Sequence, residues 1–314
     1  MRPLTALGVF KETDVRTYEA TAISTTLTAP PLFGGYQFMY ACFKIICNYF
    51  EFVSNSAIRF DCATRSLANL PRYLERTDFG DVEGPLGPFQ DVNNTTDGMF
   101  PYLMKNPEMM SNFNAFMAGS LETRPEWFKT FPVEGIVVAG AKTDGPNNVL
   151  LVDVGGGEGH DIEAFRKGYP DLRGKLVLQD LPPVINNIKD LDASITRQPH
   201  DFFTPQPVQG ARAYYFRYIF HDWPDKSCIE ILKQTTGAMT KGYSKLLIFE
   251  WILPAKGVPL YPSLLDINMM AVLNGRERTE EQWTSLLKEA GLKVVNFHKI
   301  AVDAEGLIEA ELAD

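Results

Sequence analysis

Residues 150–160 read LLVDVGGGEGH, and no other stretch of the chain restricts the fold so strongly. The apolar and β-branched residues around Asp153 make a strand buried on both faces. Gly155, Gly156 and Gly157 follow directly, then Gly159, then an amphipathic run through Asp161, Ile162, Ala164 and Phe165. Strand, tight glycine turn and helix is how a parallel α/β sheet holds a nucleotide-like cofactor. The spacing narrows the choice. A dinucleotide fingerprint needs G-x-G-x-x-G. Counted from Gly155, its last glycine falls on His160, and the match fails. The pattern present is D-x-G-x-G-x-G, from Asp153 to Gly159, which suits a cofactor without a pyrophosphate. A glycine turn of this kind also occurs as a plain βα connection, so the reading needs support from the rest of the chain.

That support starts with the alternation of the C-terminal half. Strand-like runs fall at 149–154, 175–180, 195–201, 213–220, 244–253, 292–300 and 307–312, with helical patterns between most of them. One predicted helix, 225–240, starts after Pro224 and ends near Gly242. Another, 280–290, starts with Thr279 and Gln282 in capping-box spacing and ends at Gly291. Alternating strands and helices predict a parallel sheet covered on both faces. The last two strands are joined too closely for a crossover helix, so the final strand is expected to run antiparallel. Residues 1–140 differ: few strand signals, many Phe, Met, Pro and Asn, and helical patterns near 107–120 and 124–131. The sequence therefore divides into a mainly helical N-terminal region, 1–140, and an α/β domain, 141–314, with AKTDGPNN as the linker.

A net charge of −9 argues against a nucleic-acid partner. The four cysteines, Cys42, Cys47, Cys62 and Cys228, form no C-x-x-C pair, and only four histidines accompany them, which argues against zinc. Reduced thiols fit a cytoplasmic location, and no signal peptide opens the chain. The apolar stretch near 36–53 is broken by Lys44, Asn48 and Glu51, so it is not a membrane span.

A second dense segment is YYFRYIFHDWPD, 214–225. His221 stands just past a buried strand, at the carboxyl edge where ligands bind in open α/β sheets. There it either takes a proton near neutral pH or merely caps the loop. Glu250 ends the apolar run LLIFE, and Glu277 lies in NGRERTEEQW before the capped helix. A carboxylate straight after a hydrophobic strand is costly unless it is paired or lines a site. For Glu277, a surface position is the commoner fate.

Together these segments resemble one family: the S-adenosylmethionine-dependent class I O-methyltransferases of the plant caffeic-acid and flavonoid type, in their fungal secondary-metabolism branch. The resemblance runs from about residue 7 to the C-terminus and is carried by LLVDVGGGEGH, LQDLPPVI, HDFF, FRYIFHDWPD, FEWILP and NGRERTEEQW, in order. DGMFPYLMKNPEMMSNFNAFM and ETRPEWF have a fungal character. The resemblance implies a Rossmann-like seven-stranded sheet with an antiparallel last strand, plus the remnant of a winged-helix and dimerisation domain in the N-terminal region. It implies S-adenosyl-L-methionine as cofactor and no metal. Asp153, Gly155 and Gly157 would meet the methionine end. Asp180 would hold the ribose hydroxyls, which agrees with the usual place of a ribose acid in such sheets. Asp201 and Phe202 would flank the adenine, and Arg217 stands where the family usually has Lys. His221 would be the general base, oriented by Glu250 and Glu277. Phe113, Asn114 and Met117 would border the acceptor pocket, although Phe113 taken alone reads as helix core.

The implied reaction is methyl transfer to a phenolic or other hydroxyl of a small aromatic or polyketide-like metabolite. Two other activities fit the same scaffold: a pericyclic or dehydration step, and cofactor binding without catalysis. A nicotinamide dehydrogenase is opposed by the glycine spacing. The chain departs from the family pattern in two places. Family members are homodimeric and carry a further N-terminal segment ahead of LTALGVFKETDVRTYEATAIS. Residues 41–60 match nothing in the pattern and read as an insertion.

Overall fold

VLLVDV forms β3 (Val149–Val154), in which every residue after the first is buried. The structure is a computed structural model that describes residues 1–27, 63–80, 86–107, 109–110, 126–142, 148–302 and 304–313. Around β3 lie β4 (Lys175–Asp180), β5 (Ile195–Pro199), β6 (Ala213–Arg217), β7 (Lys245–Glu250), β10 (Leu292–Lys299) and β11 (Gly306–Leu312), in the spatial order β10-β11-β7-β6-β3-β4-β5. β7, β6, β3, β4 and β5 are parallel, whereas β11 is antiparallel to both its neighbours. This is the predicted α/β sheet with its antiparallel last strand. The chain reverses its order at β3, next to β6 and β4, and that reversal opens a crevice at the carboxyl ends of the strands.

Strand periodicity sends alternate residues to opposite faces. Val152, Val154, Tyr214, Phe216, Leu246 and Ile248 pack on one face against α9 (Asp225–Thr236) and α11 (Glu280–Glu289), which contribute Ile231, Leu232, Trp283, Leu286 and Leu287. Leu151, Leu178, Tyr215, Leu247 and Phe249 pack on the other against α6 (Trp127–Thr130), α7 (His160–Gly168) and α8 (Pro182–Asn187). There Trp127 stacks on Tyr215 at 4.3 Å between ring centroids and on Phe165 at 5.6 Å. Thr279 and Gln282 close the predicted capping box of α11. The helix expected over 225–240 stops at Thr236, and Ala238 and Met239 turn into the core instead.

By packing, the chain forms two units: Met1–Leu121 with Leu253–Glu277, and Glu122–Ile252 with Arg278–Asp314. The second is the sheet and its helices. The chain leaves it at β8 (Ile252–Leu253) and returns at β9 (Arg278–Thr279). Residues 253–277, which the sequence places with the α/β domain, thus pack with the N-terminal part. That first unit holds α1 (Arg2–Ala6), α2 (Ala22–Leu27), α3 (Arg65–Arg76), α4 (Pro88–Asn93), α5 (Met99–Met104) and α10 (Leu260–Leu273), the last four of which pack around Leu70, Phe89, Met99, Leu103, Ala271 and Val272. It also contains a hairpin, β1 (Phe10–Asp14) with β2 (Thr17–Ala20), where the sequence shows few strand signals. Neither strand buries a residue, so they lack the apolar alternation that reveals a half-buried strand. The segment 41–60 lies outside the described residues.

Candidate active site

The glycine turn leaves β3 with its backbone already engaged. Gly155 and Gly156 donate to the Gln179 carbonyl of β4 at 2.8 and 3.1 Å, and Gly157 donates to Asp180 Oδ2 at 2.8 Å. Two glycines carry different burdens. A methyl on Gly156 would lie 2.5 Å from Asp153 Cγ and 2.6 Å from Leu178 Cδ1, so only a bare backbone fits there. At Gly157 an added methyl would meet no atom of the described residues within 4 Å. That peptide lies at the carboxyl edge of the sheet, clear of the described residues. A cradle a methyl would fill, with a carboxylate on either side, fits a cofactor carrying an amino group at one end and ribose hydroxyls at the other.

Asp153 is 1% exposed, and its Oδ2 has no hydrogen-bond partner among the described residues. Burial pushes its carboxyl well above the usual range, the Asp161 charge pushes it further, and the Arg217 guanidinium only partly opposes them. Asp180, which ends β4, is also raised by burial, against the backbone N–H groups of Gly157 and Leu181 that hydrogen-bond its charged form. Arg217 ends β6 and forms an ion pair with Asp161 on the first turn of α7. Tyr215 donates to the other Asp161 oxygen at 3.2 Å. Burial alone would lower the Arg217 pKa, but Tyr215 and Asp161 outweigh that and raise it, so it stays charged. Its Nε and Nη2 are buried with no hydrogen-bond partner among the described residues.

After β5 the chain turns at Asp201, whose exposed carboxylate accepts from the Phe203 N–H at 3.0 Å. Phe202 Cε1 would lie 3.6 Å from a methyl on Gly155, so its ring stands beside the glycine turn.

Beyond β6, Tyr218 takes a positive φ of 51° and throws the chain into a 3-10 turn, Phe220–Asp222. His221 in that turn is 8% exposed. Its Nε2 lies 3.3 Å from Asp222 Oδ1, and the Tyr218 ring tilts against it at 5.2 Å. Glu250, fully buried at the end of β7, accepts from the N–H groups of Ile219 and Phe220 at 3.1 and 2.6 Å. Ile219 also reaches the glycine turn, since its Cδ1 would sit 2.6 Å from a methyl on Gly155. The two segments that the sequence singles out therefore meet through this side chain.

The sheet unit thus assembles Asp153, Gly155, Gly157, Asp180, Asp201, Phe202, Arg217, His221 and Glu250 along the carboxyl edge of its parallel strands. Glu277 is 1% exposed rather than on the surface, and closes the helical unit, where its N–H donates to Asp266 at 2.9 Å. Phe113, Asn114 and Met117 lie outside the described residues. Sequence reasoning misses Asp161, whose first-turn position reads as ordinary helix polarity, and Arg278, which reads as one of many charges in NGRERTEEQW. The signal for Arg278 is its place against the capped helix and a buried tryptophan: its guanidinium lies 5.3 Å from the Trp283 ring centre. No group of three or more His, Cys, Asp and Glu side chains among the described residues could hold a metal ion.

The family profile described as the O-methyltransferase domain matches residues 143–293. The O-methyltransferase asqD of Emericella nidulans is 36% identical over 313 residues, covering 99% of this chain and 75% of that protein. The structure of OxaC in complex with SAH and oxaline superposes with a TM-score of 0.74 at 29% identity, covering 99% of this chain and 73% of that one. A structure described as a pericyclic reaction enzyme has the same TM-score of 0.74 at 30% identity, with 99% and 75% covered. A relative this similar over nearly the whole chain carries the family with it: the chain belongs to the S-adenosyl-L-methionine-dependent O-methyltransferases, alongside fungal members.

Proposed function

We propose that the acceptor is a phenolic or other hydroxyl of a small aromatic or polyketide-like metabolite, and that His221 is the general base. The observation that carries this reading is the contact of Ile219 with the glycine turn, which sets the histidine segment directly beside the cofactor segment. When bound, S-adenosyl-L-methionine supplies a methyl group activated on its sulfonium. Asp153, Gly155 and Gly157 would hold its methionine end, Asp180 its ribose, and Asp201 and Phe202 its adenine, with Arg217 beside them. What remains for the chain is to align the acceptor oxygen with that methyl and to take its proton. A phenol holds that proton with an unperturbed pKa of about 10. His221 takes it as the oxygen attacks. The Asp222 carboxylate at 3.3 Å stabilises the imidazolium that results, as a carboxylate does in a hydrolase triad. Glu250 holds the turn from below, and Glu277 is the second acid assigned to orienting the ring.

Phe113, Asn114 and Met117 are the residues we assign to the border of the acceptor pocket, within a helical region 1–140 ahead of the cofactor domain 141–314. No described helix is long and apolar enough to cross a membrane, and the cysteine usage is what supports our reading of a cytoplasmic enzyme.

His221→Ala is expected to bind S-adenosyl-L-homocysteine as the parent does in a calorimetric titration, and to lose roughly 10²–10⁴-fold in turnover with a phenolic acceptor. Unchanged turnover removes His221 as the base. Likeness to a pericyclic reaction enzyme supports a second reading, in which the bound cofactor is not consumed. Formation of one S-adenosyl-L-homocysteine per product separates methyl transfer from it.

A further inference from the structure

We propose that Arg278 is a positioning residue for the general base, gripping the turn that carries His221 from the side opposite Glu250. The inference rests on the reading of His221 given above. Arg278 is 1% exposed and stands just before α11. Its Nη1 donates to the Phe220 carbonyl and its Nη2 to the Trp223 carbonyl, both at 2.8 Å. Nε and Nη2 donate to Asp225 Oδ1 at 2.9 and 2.7 Å, and Nη2 also lies 3.3 Å from Cys228 Sγ. One planar cation thus binds the peptide entering His221, the carbonyl two residues beyond it, and the first residue of α9.

The grip is two-sided at Phe220. Its N–H is taken by the Glu250 carboxylate at 2.6 Å, and its carbonyl by Arg278 at 2.8 Å. The residue directly before the base is therefore held at both backbone polar groups by buried charges of opposite sign. The turn needs such a hold. It is a single 3-10 turn entered from a non-glycine residue at positive φ. The fork geometry matters as well. A guanidinium presents five donors in one plane and here reaches both carbonyls and the Asp225 carboxylate from three nitrogens, whereas an ammonium offers three donors from a single point. Cys228 Sγ lies 3.3 Å from each of the same two carbonyl oxygens, and burial raises its thiol to about 12, so it stays a neutral packing group.

The test compares Arg278→Gln, Arg278→Lys and Asp225→Asn in the full chain. Asp225 is half exposed, so its variant loosens the clamp without leaving a hole. Binding of S-adenosyl-L-homocysteine is expected to stay within about twofold in all three, because Arg278 makes none of the glycine-turn contacts. Turnover at saturating acceptor is expected to fall about 10²-fold in Arg278→Gln, the scale of a misplacement near 1 Å. Arg278→Lys should recover only part of it, Asp225→Asn should lose about tenfold, and KM should change little. Imidazole ¹⁵N–¹H spectra give an independent readout, because the chain has only four histidines, His160, His200, His221 and His298. The His221 signals should shift and broaden in Arg278→Gln while the other three stay in place. If Arg278→Gln does not fold, Asp225→Asn and Arg278→Lys carry the test. A folded set with unmoved His221 signals and unchanged turnover overturns the proposal, as does a loss of cofactor binding equal to the loss of turnover. If His221→Ala keeps its activity, the base assignment fails on its own, and the spectra still decide whether Arg278 fixes the ring.

Discussion

Asp153 shows how one residue can serve a site at the expense of the fold. Its carboxyl is buried, lies near Asp161 and leaves one oxygen without a partner among the described residues, so its pKa is raised well above the usual value. The native state therefore holds this proton more tightly than the unfolded chain does. Its contribution to stability is fully present below the unfolded pKa, near 4, and is lost as pH rises through the raised native value. Asp153→Asn, which keeps the shape without the charge, should remove that part of the decline. Thermal melts from pH 4 to pH 8 are expected to show a variant more stable than the parent at the upper end, with weaker S-adenosyl-L-homocysteine binding. A steeper decline in the variant would mean that Arg217 already neutralises the site. The sequence shows Asp153 at the end of a buried strand, but not that Arg217 pairs with Asp161 instead. That pairing joins residues 56 apart in sequence, across β6 and α7, and no local pattern encodes it.

At the scale of the element, the β3–α7 turn separates two demands that the string GGG does not distinguish. Gly156 is enclosed by Asp153 and Leu178, while Gly157 has no described residue in the way of a side chain. Gly156→Ala should therefore cost about 1–3 kcal/mol through overpacking. Gly157→Ala should lose about 1–2 kcal/mol for a side chain at positive φ, and at least tenfold in S-adenosyl-L-homocysteine affinity because the new methyl enters the cradle. Denaturant melts paired with calorimetry check both, and equal affinity in the parent and Gly157→Ala would move the cofactor off this turn. Elements buried on both faces, such as VLLVDV and KLLIFE, were legible because their apolar runs leave no choice. The β1–β2 hairpin was not, since an exposed ribbon shows no periodicity. Glu250 was legible as a residue out of place after a hydrophobic run. That it acts on peptide N–H groups of a neighbouring turn was not, because strand order decides which loop β7 meets.

For the whole molecule, the parallel sheet was readable from the alternation of strands and helices, and the antiparallel last strand from the short link before it. The assignment of residues 253–277 to the helical unit was not readable. A helix such as α10, rich in Leu and Met on all sides, fits either unit by composition, and only its contacts with α1, α3 and α4 decide. Ligand binding should register globally in spite of this division. With S-adenosyl-L-homocysteine at about 100 times its Kd, the native state gains about 2.7 kcal/mol. A rise of roughly 5 °C or more in the sheet unit's melting transition is the expected result. NAD at the same concentration should leave the melt unchanged, and equal shifts from both would reopen the dinucleotide reading.

The antiparallel strand β11 lies between β7 and β10, although it is the last of the seven to leave the ribosome. Until residues 306–312 are made, β7 has an open edge on the side away from β6, and β10 has no strand to join. Glu250 ends β7 and pairs with Gly306 of β11, so the strand that supplies the hold on the His221 turn is fully paired only when that edge is sealed. A nascent chain interrupted before this point would display an unpaired hydrophobic strand and an unfinished base. Synthesis of β11 therefore seals the strand that carries Glu250, and protection of that edge from aggregation arrives with it.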